Sequence, residues 1–149
     1  MDAAEHYALK LLTLREHSVL ELRRKLERKG YTDHEIIPLL NKLKHEGWQD
    51  DSRFAKAYTY SRQTRGYGPL RVQKELNERG IAEEIIHAVV DEQAHEWIET
   101  LAKICSKKFG SVLATDFAER AKQFRFLQNK GFNHWHIKEW LNELKYENK

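Results

Sequence analysis

Leu26-Glu27-Arg28-Lys29-Gly30-Tyr31 is the stretch that decides the fold, because it returns twice. Leu76-Asn77-Glu78-Arg79-Gly80-Ile81 and Leu127-Gln128-Asn129-Lys130-Gly131-Phe132 carry the same order: Leu, two polar residues, a cation, Gly, a large apolar residue. The glycines lie 50 and 51 positions apart. Six residues beyond each stands Ile36, Ile86 or Ile137, and ten beyond stands Leu40, Val90 or Leu141. A glycine closing a helix can turn left-handed, and a cation just before it suits the negative helix end. Each motif therefore reads as one helix, a glycine turn and a second helix. One further helix precedes each pair, so the unit is three helices of 45–50 residues. Repeats of this length stack, each burying a face against its neighbour.

The periodicity around the motifs is helical almost throughout. Ala4, Tyr7, Ala8, Leu11 and Leu12 make one apolar stripe. Ser18-Val19-Leu20-Glu21 and Thr32-Asp33-His34-Glu35 are capping boxes. Val19, Leu22 and Leu26 face inward behind the first, and Ile36, Leu40 and Leu43 behind the second. Pro38 conflicts with the second box, and predicts a kink or a later helix start. A helix is expected from about Asp51 to Arg62, capped by Asp50-Asp51. Gly66-Tyr67-Gly68-Pro69 breaks the chain, with Pro69 suited to the first position of the next helix. Ile85, Ile86, Val89 and Val90 mark another helix. Nothing breaks the chain before Trp97, Leu101 and Ile104, so the pattern allows one continuous helix as far as Gly110. Phe117, Ala121 and Phe124 open the next, and Ile137, Trp140, Leu141 and Leu144 make the last stripe. No convincing strand is found. The fold class is all-α, as three tandem three-helix repeats over residues 1–50, 51–93 and 94–149.

Composition agrees. The 149 residues are 40% hydrophobic and 33% charged, against about 25% charged in an average domain. Such a chain has much surface and predicts an elongated molecule. No apolar run is long enough to span a bilayer. The N-terminus lacks the basic and apolar segments of a signal peptide, so a cytoplasmic protein is expected. A single cysteine, Cys105, excludes an internal disulfide framework and a cysteine-based metal site.

The net charge of +3 hides an asymmetry. Residues 52–74 carry Arg53, Lys56, Arg62, Arg65, Arg71 and Lys74, with no Asp or Glu among them. Phe54, Tyr58, Tyr60 and Tyr67 are interleaved. Cations that displace counterions and rings that stack on bases suit a polyanion. Phe54 and Tyr58, four residues apart, equally suit a helical core.

The search for catalysis returns nothing. Gly66-Tyr67-Gly68 lacks the rest of a phosphate-binding fingerprint, and no HExxH occurs. His134 and His136 stand two apart, a poor chelating pair on a helix. No nucleophile turn marks any serine. A base-reading helix-turn-helix fits poorly, because residues 82–92 hold four acids and no Lys or Arg. Arg24 and Arg28, one turn apart and away from Leu22 and Leu26, are further candidate contacts that also suit ion pairs with Glu21 and Glu27.

Gly47-Trp48-Gln49-Asp50-Asp51-Ser52-Arg53-Phe54-Ala55 and Gly68-Pro69-Leu70-Arg71-Val72-Gln73-Lys74-Glu75-Leu76-Asn77-Glu78-Arg79-Gly80-Ile81, preceded by Arg62, carry a resemblance. With Ser18 to Leu26 they make the chain similar to the RecX family, regulators of the RecA recombinase. It departs at Gln49, where an aliphatic residue is expected, and the third repeat matches loosely. The resemblance implies a curved, elongated array of three repeats that binds in the groove of the RecA–DNA filament. It implies a negative regulator in DNA repair, recombination and the SOS response, limiting filament growth and inhibiting ATPase, strand-exchange and coprotease activities. The partner expected is the RecA filament, with single- and double-stranded DNA as further candidates. The protein is expected to be a monomer with no cofactor, no metal and no catalytic residue. The candidate contact residues are Arg62, Arg65, Arg71, Lys74, Arg24 and Arg28. The rival readings are a sequence-neutral DNA-binding protein acting without a recombinase, and a small hydrolase with a site of scattered polar residues.

Overall fold

Local signals set the ends of the helices, and the repeated glycine motif sets three of them. The structure is a computed structural model that describes residues 2–110 and 116–147. Among the described residues all regular structure is helical. Repeat 1 holds α1 (Ala3–Leu14), α2 (Val19–Arg28) and α3 (Asp33–His45). Then come α4 (Asp51–Thr64), α5 (Pro69–Glu78) and α6 (Glu83–Val89), and last α7 (His95–Phe109), α8 (Phe117–Lys130) and α9 (His134–Glu147).

Asp2 caps α1 by accepting from the Glu5 N–H at 2.8 Å. At α2 the capping box is complete: Ser18 Oγ accepts from Glu21 N–H and Glu21 Oε1 from Ser18 N–H, both at 3.1 Å. Such a cap is worth about 1 kcal/mol. Asp50 caps α4 by accepting from Arg53 N–H at 3.0 Å. Asp51 does something else: its Oδ1 accepts from Val19 N–H at 2.9 Å, so α4 begins tied to the start of α2.

Each motif closes its helix in the same way. Tyr31, Ile81 and Phe132 donate their N–H groups back to Leu26, Leu76 and Leu127 at 3.1–3.2 Å. Gly30, Gly80 and Gly131 donate to the carbonyl three residues earlier at 3.0 Å. This doubly bonded end is the Schellman arrangement. Leu26, Leu76 and Leu127 are fully buried beneath the turns, where truncation to Ala costs about 2–5 kcal/mol.

The chain gathers into two compact units, one of Met1–Tyr58 with Leu76–Val89 and one of Thr59–Glu75 with Val90–Lys149. In the first, α1, α2 and α3 bury Ala4, Ala8, Leu22, Leu26, Ile36 and Leu43. In the second, α7 packs on α8 and α9 and buries Trp97, Ile98, Leu101 and Cys105.

Two expectations need correction. α3 does not start late: it begins at Asp33 and runs through Pro38, which lies on an exposed face. Glu35 still accepts from Thr32 N–H at 3.2 Å, so the cap prevails over the missing proline amide. α6 and α7 are not continuous. Asp91 accepts from Gln93 N–H at 3.1 Å in a tight turn. The neighbouring Glu92 carbonyl accepts from Nε2–H of the buried His136. Phe117 opens α8 as expected, but its ring is not core. It is 87% exposed, and Gln123 takes the position that Leu22 and Val72 hold in the other repeats.

Candidate interaction surface

Tyr67 is placed by a turn of the same kind. Gly66 stands at φ +90°, and Tyr67 N–H donates to the Arg62 carbonyl at 3.1 Å. The ring is thereby folded back over the end of α4. The Arg62 guanidinium lies 3.8 Å from the ring centroid, Arg71 4.4 Å and Lys130 Nζ 4.8 Å. Each contact exploits the negative face of the ring. Arg62 also grips Glu75 with two bonds of 2.9 Å. Arg71 lies 3.6 Å from Glu75 and donates to the Asn129 carbonyl at 3.3 Å. Two cations thus share one carboxylate and three share one ring, and the surplus is positive.

Glycines allow this convergence. Gly68 N–H donates to the Lys130 carbonyl at 2.7 Å, and Leu70 N–H to the Gly131 carbonyl at 3.1 Å. A Cβ on Gly68 would stand 2.5 Å from the Gly131 carbonyl carbon, and one on Gly131 2.6 Å from Arg71 Cβ. Backbone there lies against backbone, which brings Lys130 to the ring of Tyr67.

The structure sorts the expected contact residues. Arg62 and Arg71 meet at Tyr67. Arg62 is mostly enclosed, with 17% of its side chain exposed, and it braces the cluster rather than presenting a free charge. Arg71 is 41% exposed. Lys74 is exposed on α5, with no ion pair among the described residues. Arg65 is exposed and lines a groove against α7. Arg24 and Arg28 are exposed in the first unit. They do not pair with Glu21 or Glu27: Arg15 takes Glu21 and Arg23 takes Glu27. Among the described residues Arg28 donates to the Arg24 carbonyl, at 3.5 Å, and has no ion pair. Arg53 is likewise spent internally, bonding Glu16 at 2.7 Å and the Gly47 and Trp48 carbonyls. Phe54 is buried and stacks near Tyr58 at 5.6 Å, whereas Tyr60 is 72% exposed.

Sequence reasoning missed Lys130. The signal lay in the glycine motif. Lys29, Arg79 and Lys130, the three cations before the glycines, each lie over a tyrosine ring, at 5.1 Å from Tyr7, 4.6 Å from Tyr58 and 4.8 Å from Tyr67. Lys130 also faces Phe126 at 5.7 Å, with Lys108 at 5.6 Å from the same ring.

The first unit holds a buried polar network of its own. Gln49, the departure from the expected aliphatic residue, is buried and donates to Asp51 at 2.9 Å and to the His17 carbonyl at 3.3 Å. His17 is buried with Nδ1–H donating to the Arg15 carbonyl, so Nε2 accepts from Lys25 Nζ at 2.9 Å. Burial pulls His17 below its ordinary pKa, helped by Arg15 and Lys25, and pulls Lys25 down as well. Burial pushes the Glu21 carboxyl up, but bonds from Arg15 and the Ser18 N–H outweigh it and hold it low. Among the described residues no cluster of His, Cys, Asp or Glu could hold a metal. His136 holds Asn133 N–H at 3.0 Å on Nδ1 and the Glu92 carbonyl on Nε2, so both ring nitrogens serve the fold. Burial raises the Cys105 thiol. No described helix is long and apolar enough to cross a membrane.

Family models for the three RecX three-helix domains match in order: the first over residues 4–43, the second over 50–90 and the third over 95–141. The chain belongs to the RecX family. It is 34% identical to the regulatory protein RecX of Vibrio parahaemolyticus over 88% of this chain and 84% of that one. It is 37% identical to that of Halorhodospira halophila, over 88% and 81%. The crystal structure of RecX from Lactobacillus salivarius superposes with a TM-score of 0.82 at 20% identity, over 96% of this chain and 95% of that one. That likeness shows the RecX fold of tandem helical repeats. The named relatives place the chain among regulatory proteins.

Proposed function

We propose that the protein negatively regulates RecA by binding the RecA–DNA filament as a monomer in the cytoplasm. There it limits filament growth and inhibits the ATPase, strand-exchange and coprotease activities, damping recombination, repair and the SOS response. The observation that carries the reading is the cluster at Tyr67. Arg62 and Arg71 share one carboxylate, Lys130 joins them on one ring, and Arg71, with Lys74 three residues further along α5, is exposed. Such a surface suits acidic recombinase surface or the phosphates inside the filament. Arg65, Arg24 and Arg28 extend the set of contacts, and Arg62 holds the cluster together.

The test is RecA's single-strand-dependent ATP hydrolysis with the protein titrated far below the recombinase, beside a gel shift on the same DNA without RecA. Inhibition well below stoichiometric amounts is expected. Inhibition only once the protein coats the DNA by itself would favour sequence-neutral DNA binding instead.

A further inference from the structure

A groove of about 480 Å³ runs between the end of α4 and one face of α7, away from the Tyr67 ring. Its α7 wall is a single stripe. Glu96, Glu99, Lys103 and Lys107 all line it, at spacings that keep them on one side of a helix. The stripe is acidic at its beginning and basic at its end, over about 16 Å from Glu96 to Lys107 at 1.5 Å per residue. Arg65 lines the opposite wall. Arg65, Lys103 and Lys107 are exposed and have no ion pair among the described residues.

Between the charged groups the half-buried Ile104 gives the groove an apolar lining, beside Gly66 and Thr100. Gly66 approaches Ile104 so closely that a Cβ there would stand 2.5 Å from Ile104 Cγ2. Both residues line the groove, and the ring of Tyr60, 72% exposed, lines it beside them. The helix dipole alone favours acids early and bases late on α7. It gives no reason for both groups to line one concavity with an apolar lining and an exposed ring.

We propose that this groove docks a short peptide segment of a protein partner. The segment would carry acidic side chains at one end, basic side chains at the other and an apolar residue between them. The charge order decides against nucleic acid. A phosphate backbone is negative along its whole length, and one laid in the groove would meet Glu96 and Glu99. A peptide of mixed charge satisfies both ends, with its acids on Arg65, Lys103 and Lys107 and its bases on the glutamates. The proposal goes beyond RecA binding and does not require RecA to be the partner.

The experiment is an NMR titration of the full chain with three probes: the peptide Lys-Lys-Leu-Leu-Glu-Glu, an all-glutamate peptide of equal length, and a short oligothymidylate. The mixed peptide is expected to shift the amides of Thr64, Gly66 and Lys103 at millimolar concentration, several-fold more tightly than either other probe. Two charge-reversed variants sharpen the sign, with melting curves as the check on folding. Lys103→Glu with Lys107→Glu and Glu96→Lys with Glu99→Lys are each expected to weaken the mixed peptide several-fold. Two results would overturn the proposal. One is tighter binding of the oligothymidylate in the groove, strengthened by the glutamate reversal. The other is no shift at the groove with the mixed peptide at millimolar concentration.

Discussion

The first unit ties Arg15, Lys42 and Arg53 to acids of its own and leaves Arg24 and Arg28 exposed, whereas the second sets Arg62 and Arg71 on one acid. In the first, Glu21 takes Arg15 and lies 3.8 Å from Arg79, Arg53 is bound by Glu16, and Lys42 by Glu5. In the second, Glu75 is shared by Arg62 and Arg71, while Lys130 leans on the same ring as both. The glycine turns differ in the same sense. The Gly80 turn sits against a side chain, where a Cβ would be 2.9 Å from Leu20 Cβ. The Gly131 turn sits against backbone, at Gly68. A Cβ on Gly30 would meet no other described residue within 4 Å. One repeated motif thus serves as a free end, a side-chain contact and a backbone contact. Where it meets backbone, it gathers cations.

The largest effects should come from breaking these turns, and they should be graded. Gly131→Ala forces a left-handed residue and a clash with Arg71 backbone and Cβ, and should cost at least about 3 kcal/mol. Gly80→Ala adds a softer clash with Leu20 and should cost about 2–3 kcal/mol, with Gly80→Val worse. Gly30→Ala carries conformational strain alone, about 1–2 kcal/mol. Denaturant unfolding measures all three, and equal losses at Gly30 and Gly131 would break the comparison.

Next comes the division of labour at Tyr67. Arg62→Ala strips the mostly enclosed Glu75 of its bidentate partner and should cost about 1–3 kcal/mol of stability. Arg71→Ala removes a more exposed group and should cost under about 1 kcal/mol. Thermal melts of the two variants test this, and the reverse ranking would show that Arg71 is the brace.

Smaller effects should follow pH, with opposite signs in the two units. His17 is held below its ordinary value of 6.5 by burial, Arg15 and Lys25, so its contribution is present above that value and is lost as pH falls toward the lowered one. His95 is exposed and held above 6.5 by Glu143 and Glu99, so its contribution is full below 6.5 and is lost as pH rises through the raised value. Hydrogen exchange at about pH 5 and about pH 8 should therefore show weakened protection near His17 in acid and near His95 in base. Parallel trends at both sites would contradict the assignment of partners. Smallest of all, Gln49→Leu loses two hydrogen bonds but removes the buried Oε1 that has no partner in the structure. Its net change should be within about 1 kcal/mol in an unfolding titration.

Much of this was legible because it is local. Ser18 and Glu21, or Leu26 and Tyr31, lie within five residues of each other, so the sequence shows both partners of the bond at once. What stayed hidden is not local. The break after Val89 depends on His136, which lies 44 residues from Glu92. The basic run of residues 52–74 predicts a cationic surface, but not that Glu16 absorbs Arg53 or that Glu75 holds Arg62 inside. Phe117 fits a helical stripe by spacing, yet its helix starts a turn early relative to the glycine, which leaves the ring in water.

On the proposed function, Arg71 of the Tyr67 cluster and the exposed Lys74 beside it on α5 carry the inhibition of RecA. The most direct test is RecA ATPase inhibition by Arg71→Glu with Lys74→Glu, compared with wild type at matched thermal stability. At least about a tenfold rise in the concentration needed for half-inhibition is expected, equivalent to about 1.4 kcal/mol. Unchanged inhibition by a fully folded double variant would contradict it.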